Sequence, residues 1–288
     1  MAIYRFPHVT GEYFLDEHLR PAKPTSDAQD LPISLIPQAL IPCKDPKFFK
    51  TFHEELLKKV RSDVKNATKR DQLIIQLISH IDELDKTLNN LSKRLREWAA
   101  YYTPEQERGY SDHLEFAKAL LAEPREAFLK KARRAVSMGI DLSKTDHETL
   151  KSAALMVINL YTYRQLQEEA LKLVMEDLAP NTTALAGYRI GAKLIAHAGS
   201  LQRFAKLPAS TIQLLGAEKA LFRHIRTGAK SPKHGLLIQH PIVALSKDKG
   251  RAARVLADKI AIAARVDYFK GSFCGDRLKR EVEEKVGR

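Results

Sequence analysis

Cysteine is almost missing from this chain. Cys43 and Cys274 are the only two among 288 residues, too few and too far apart for a disulfide framework or a four-ligand zinc site. That scarcity points to a reducing compartment. Long apolar runs are missing as well: no stretch approaches the length a bilayer span needs, and the opening MAIYRFPHVT has neither region of a signal peptide. The expectation is a soluble cytoplasmic protein with no membrane partner. Glycine and proline, 13 of each, are too scarce for a loop-dominated fold, whereas 44% hydrophobic residues suffice for a core. Catalytic signatures are absent too. There is no Walker phosphate loop and no H-E-x-x-H, and the glycines of LAGYRIGAKLIAHAG, at 187, 191 and 199, lack the spacing of a dinucleotide loop. His53 beside Glu54 and Glu55, and His80 near Asp82 and Glu83, fall on polar faces of predicted helices and read as solvated. No catalytic residue, metal or cofactor is expected.

What the chain has in excess is positive charge, gathered in one place. Lysine and arginine number 48 against 35 acids, for a net charge of +13. From Gly187 to Arg288 there are 21 basic and 8 acidic residues, so the last third carries the entire surplus. A surplus confined to one segment suits phosphates or anionic lipid. Its densest part is GAEKALFRHIRTGAKSPKHGLLIQHP, Gly216 to Pro241, with Lys219, Arg223, Arg226, Lys230 and Lys233 against the single acid Glu218. Read as a helix, Glu218 to Ile225 puts the cations on or near one side and lets Leu221 and Ile225 turn inward. The loop TGAKSPKHG then projects Lys230, Lys233 and His234. Lysine and arginine neutralise phosphates whatever the base, while a histidine ring or an arginine plane stacks on an unpaired one. Charge alone leaves RNA binding and a solvated basic face equally open, and Phe222 reads also as core.

Three regions follow from the patterning. Seven of the thirteen prolines lie between Pro7 and Pro46, and a helical run covers about Phe48 to Ala67, so residues 1–67 read as a small α/β region. Next, RDQLIIQLISHIDELDKTLNNLSKRLREW carries two seven-residue series, Ile74, Ile81, Leu88, Leu95 and Leu77, Leu84, Leu91, Trp98, the pattern of a coiled-coil seam. Short helical patterns at His113–Ala122 and Arg125–Ser137 form a reversing tip. Thr145 and Glu148 read as a capping box opening a long helix to Leu178, so residues 68–179 are expected to make an antiparallel hairpin that can also pair with a second copy. Residues 180–288 read as an all-α unit. Asn181 caps its first helix there, and Gly187, Gly191, Ala192, Ala196 and Ala198 permit close packing. A final helix at Lys249–Val266 buries Val255, Leu256, Ile260, Ile262, Ala263 and Val266, leaving Arg251, Arg254 and Lys259 outside. The fold class is mainly α.

The GAEKALFR string with SPKHG, preceded by LAPNTTALAGYRIGAKLIAHAG and followed by KIAIAARVDYF, resembles the Nop domain of the archaeal box C/D ribonucleoprotein core proteins, a family with eukaryotic nucleolar and spliceosomal members. The resemblance covers about Arg70 to Phe273. It implies a scaffold for guide-directed 2′-O-methylation of ribosomal and transfer RNA, or, as the alternative, a spliceosomal-type protein that works without a methyltransferase. The implied partners are box C/D guide RNA, a kink-turn-binding ribosomal-protein-like subunit, a second copy through the coiled coil, and fibrillarin. Fibrillarin would supply the S-adenosylmethionine chemistry. By position, Gly216, Ala217, Glu218 and Lys219 match the GAEK element, and Ala220, Leu221, Phe222 and Arg223 the ALFR element near the guide RNA. Lys230, Lys233 and His234 would sit in the RNA-facing loop, His234 stacking on a kink-turn base, with Arg251 and Arg254 on phosphates. The region before the coiled coil is short for the family, and no lysine-rich tail follows KREVEEKVGR. A reduced fibrillarin-docking face at Phe48, Phe49 and Phe52 is the corresponding expectation.

Overall fold

The computed structural model describes residues 3–8, 11–25, 27–41, 46–67, 69–106, 109–134 and 136–287, which divide into compact units at residues 1–69 and 70–288. In the first unit, β1 (Tyr4–His8) pairs antiparallel with β2 (Gly11–Leu15), Tyr4 opposite Leu15, and parallel with the short β3 (Gln29–Asp30), giving the order β2-β1-β3. Alternation decides the faces: Tyr4, Phe6 and His8 are half-buried while Arg5 and Pro7 point out. Two helices follow, α1 (Ile36–Ala39) and α2 (Pro46–Ala67). The His8 ring lies 5.0 Å from that of Phe52 on α2. Of the predicted docking aromatics, Phe49 is exposed and Phe52 half-buried, while the Phe48 side chain lies outside the described residues. Cys43 lies outside them too.

The second unit is built on two long helices, α3 (Asp71–Tyr102) and α6 (Lys144–Leu178). Arg70, just before α3, pairs at 2.8 Å with Asp177 at the far end of α6, so the helices run antiparallel. Between them lie α4 (His113–Ala122) and α5 (Arg125–Lys131); α5 stops short of the expected Ser137. Phe116, Ala117 and Leu120 of α4 pack with Leu95, Ala99, Leu150, Ala154 and Val157 into a core at the tip. The capping box that opens α6 is Ser143 with Asp146, two residues before the expected Thr145 and Glu148: Ser143 Oγ accepts the Asp146 N–H at 3.2 Å. Thr145 instead lies inside the first turn.

The seam needs a sharper correction. Ile74, Ile81, Leu84, Leu88 and Leu95 are buried, but Leu77 is half-buried and Leu91 and Trp98 remain 39% and 38% exposed. Their places are taken by Ile78, Ser92 and Ala99, so after Ile74, Leu88 and Leu95 the helix buries the residue four positions on instead of three, while after Ile81 the expected Leu84 stays buried. A heptad pattern shows where the apolar residues recur. Which flank is covered depends on where the neighbouring helices sit.

Beyond α6 come α7 (Pro180–Ala186), α8 (Tyr188–Ala198), α9 (Leu201–Lys206), α10 (Ala209–Leu214), α11 (Glu218–Thr227), a 3-10 turn at Leu236–Gln239, α12 (Pro241–Ala244), α13 (Lys249–Tyr268) and α14 (Gly275–Gly287). The helix expected at Lys249–Val266 is therefore not the last. Leu194, Ile195, Phe204, Ile212, Leu237, Leu256 and Ile260 form its core, shared with Ile74, Ile78, Ile81, Leu171 and Met175 at the hairpin base. Gly191 earns its place there, since a Cβ would come within 2.9 Å of Met175. On α13, Ile262 is 40% exposed and Lys259 is largely covered and paired with Glu281 of α14, both reversing the expectation. Asn181 is not a cap: Pro180 occupies the first turn of α7, and the buried Asp267 accepts from the N–H groups of Asn181 and Thr182 at 3.0 and 2.8 Å and from their side chains at 2.8 and 2.7 Å.

Candidate nucleic-acid interface

The two motifs of the basic stretch meet at their glycines. Gly216, at φ +84°, begins the turn into α11, and a Cβ there would strike Leu236 Cγ at 2.6 Å. A Cβ on Gly235 would lie 1.9 Å from the Leu215 carbonyl oxygen. The two strands of chain are stitched together where Gly235 N–H donates to Gln213 O at 2.8 Å and Leu236 N–H to Leu215 O at 2.7 Å. The GAEK turn and the SPKHG loop thus share one base.

From that base α11 projects as an arm that buries none of its residues. Lys219, Ala220 and Arg223 are exposed, Ala217 and Leu221 half-buried. Phe222 and Ile225 are 63% and 68% exposed, so the inward turn expected of Ile225 and the core alternative for Phe222 do not occur. Glu218 folds back: its Oε1 accepts the Gly216 N–H at 2.8 Å and lies 3.2 Å from Nδ1 of His197 on α8. Burial alone would raise the Glu218 carboxyl, but the N–H groups of Gly216 and Glu218 together with His197 outweigh it and hold the carboxyl below its ordinary range. At the other end Gly228 closes the helix in a left-handed conformation, and His224 Nδ1 meets the Ala229 carbonyl, fixing the start of the loop.

Lys230 and Lys233 are exposed in the loop and His234 is half-buried. The buried Gln213 donates from Nε2 to Lys233 O at 2.6 Å and reaches Gly250 O at 3.5 Å, tying the loop to the start of α13. There Asp248 caps the helix by accepting the Arg251 N–H at 3.0 Å; that bond, opposed by slight burial and aided by the Gly250 N–H, Lys233 and Arg251, keeps its carboxyl low. The Lys233 side chain runs along Gly250, where a Cβ would meet it at 3.2 Å. Arg251 and Arg254, three residues apart, share the exposed side of the first turns of α13. Gly216, Lys233 and the start of α13 are therefore joined by short covalent and hydrogen-bonded paths. Gln213, Asp248 and His197 were missed. Asp248 could have been found, since an acid ahead of a helical run is a capping signal; Gln213 and His197 have no local signature.

Comparison with known proteins decides the kinship. The family model described as "Nop: snoRNA binding domain, fibrillarin" matches residues 80–288. The chain belongs to the Nop family. An uncharacterized NOP5 family protein of Methanocaldococcus jannaschii is 40% identical over 250 residues, 81% of this chain and 60% of that protein. Nucleolar protein 56 of Homo sapiens is 39% identical over 254 residues, 78% of this chain and 42% of that protein. The chain thus matches between 42% and 60% of the length of these Nop relatives. Among solved structures, a chain of a fibrillarin/Nop5p complex aligns with a TM-score of 0.48 and 24% identity over 98% of this chain and 99% of that one. Among the described residues of this Nop protein no helix is long and apolar enough to cross a membrane, and no three His, Cys, Asp or Glu side chains are grouped to hold a metal.

Proposed function

We propose that this Nop protein is a non-catalytic scaffold of a box C/D ribonucleoprotein that positions guide RNA and fibrillarin for 2′-O-methylation of ribosomal and transfer RNA. The observation that carries the reading is the cationic arm: α11 stands off the core with Lys219 and Arg223 free of acidic partners among the described contacts, beside a loop and a helix start that present Lys230, Lys233, Arg251 and Arg254. An amphipathic helix normally buries its apolar stripe. One that exposes Phe222 and Ile225 next to arginines offers both phosphate neutralisation and apolar or stacking contact with unpaired bases.

In this reading His234 stacks on a kink-turn base, the ribosomal-protein-like subunit covers the neighbouring surface, and the domains are the fibrillarin-binding region 1–67, the dimerising hairpin 68–179 and the RNA-binding unit 180–288. The exposed Phe49 belongs to the fibrillarin face. No cofactor is held by this chain, S-adenosylmethionine being the methyltransferase's. The particle works in the cytoplasm, as suits an archaeal relative. Exposed Leu91 and Trp98 on α3, and Met156 and Tyr163 on α6, leave apolar surface on the hairpin for a second copy. With a rise of ~1.5 Å per residue, the 35-residue α6 spans about 50 Å and sets a fixed distance between two RNA-binding heads.

A gel shift with kink-turn box C/D RNA, run with and without the ribosomal-protein-like subunit, tests the RNA role; no shift in either lane overturns it. Co-purification of the full chain with fibrillarin tests the second role. Failure there, with RNA binding intact, returns the spliceosomal-type alternative.

A further inference from the structure

One face of α8 carries a ladder of ionisable groups at four-residue spacing, Arg189, Lys193 and His197, a turn apart from one another. The first two rungs face the hairpin. Arg189 pairs with Asp85 of α3 and, at 3.2 Å, with Glu168 of α6; Asp85 also holds Arg164 of α6, and Lys193 reaches Asp82 of α3 at 2.9 Å. At the third rung His197 meets Glu218 on the arm. A cleft of about 280 Å³ lined by Ile78, Asp82, Lys193, His197 and Leu236 lies beside these last two rungs. Because α11 fully buries no residue and Leu221 is its one half-buried aliphatic side chain, its orientation has little apolar anchoring. Among the described side-chain hydrogen bonds, the Glu218–His197 pair is the one that ties α11 to another helix.

We propose that Glu218 and His197 are positioning residues: they clamp the elbow of the RNA-binding arm to α8, which the hairpin holds in turn, so that arm direction is coupled to the rod. Glu218 is the single acid of a cationic stretch, and a carboxylate facing phosphates would weaken binding. Its place in the turn is explained by what lies behind it. Part of its task, the bond to the Gly216 N–H, is local; the rest is the link to α8. This inference rests on the proposed RNA role for its consequence and on the elbow geometry alone for its cause.

The decisive variants separate charge from clamp. E218A and H197K both raise the net charge by one, but only E218A removes the pair, since a lysine at 197 still presents a donor to the Glu218 carboxylate. If charge alone matters, both tighten binding of kink-turn box C/D RNA. If the clamp matters, E218A weakens it, on the order of tenfold, and H197K does not. H197A, with little change of charge, should behave like E218A, and E218Q, which still accepts from Gly216, should fall between. Amide hydrogen exchange of the free full-length protein supplies the readout independent of RNA: residues 218–227 should exchange faster in E218A and H197A, with unchanged protection in α13. Tighter binding by E218A, or unaltered exchange of the arm in both E218A and H197A, overturns the proposal. Faster exchange in a protein that binds no RNA would keep the clamp and sink the RNA role instead.

Discussion

The hairpin and the α11 arm are both amphipathic helical structures, yet they are held by different forces. Along the hairpin, Ile74, Ile81, Leu88 and Leu171 are sealed from solvent, and the polar pairs around Asp85 are added at its base. The arm has the same kind of apolar residues, Phe222 and Ile225, and leaves them in water. Burial holds the rod, whereas the arm is held by polar contacts at its elbow and keeps its apolar side chains available to a ligand. The proposed scaffold role needs both properties in adjoining segments: a fixed length between sites and a surface that gives up solvent only when its partner arrives.

The comparison can be broken most forcefully where a polar group is fully enclosed. Asp267→Ala strips four donors of their acceptor in the buried joint between α7 and α13, and should lower stability by about 3–5 kcal/mol in urea unfolding. A loss below about 1 kcal/mol would show that the joint is replaceable. Ile81→Ala, in the sealed part of the seam, should cost about 2–5 kcal/mol by the same measurement. Ile225→Ala on the arm should stay within roughly 0.5 kcal/mol of the parent while weakening RNA binding. Equal destabilisation by the two isoleucine substitutions would erase the distinction drawn between rod and arm.

The exposed flank of the rod gives a further cut. If the proposed second copy pairs there, Leu91→Asp should leave the hairpin folded by circular dichroism and shift sedimentation from dimer to monomer, whereas Leu84→Asp, which puts a charge at a buried position of the same series, should unfold the hairpin itself. An unchanged sedimentation profile for Leu91→Asp would remove this flank as the proposed contact with a second copy.

A smaller effect should appear with pH. His240 caps α12 by accepting the Ile242 N–H at 3.3 Å, and burial, outweighing the Leu185 backbone bond and joined by Lys279, holds its pKa below 6.5. A neutral ring is the form the fold retains, so the unfolded chain takes up a proton first as pH falls through 6.5. This contribution to stability is therefore complete above that value and is lost progressively below it. His240→Gln should flatten the slope of urea stability between neutral and mildly acid pH; an unaltered slope would assign that dependence to other groups. Smallest of all, Lys233→Ala should lower the log-log salt slope of RNA binding by about 0.7–0.9, with little change in folding stability.

Heptad spacing, the charge imbalance after Gly187, the prolines before Pro46 and the GAEKALFR and SPKHG strings determined, from sequence alone, a mainly helical chain with a hairpin and a cationic terminal unit. These features are local: each can be read within one helix or loop, because periodicity and backbone preference act over a few residues. What the tertiary structure decided was which side of each pattern faces inward. Leu91 and Ile225 have the composition of core residues and lie outside, while Ser92 and Ala99 have little apolar weight and lie inside. The same holds for the capping of α7 by Asp267, 86 residues from Asn181, and for the meeting of Glu218 with His197 across 21 residues. Burial and hydrogen bonding between distant segments depend on where a neighbouring helix arrives, and no short window of sequence contains that neighbour.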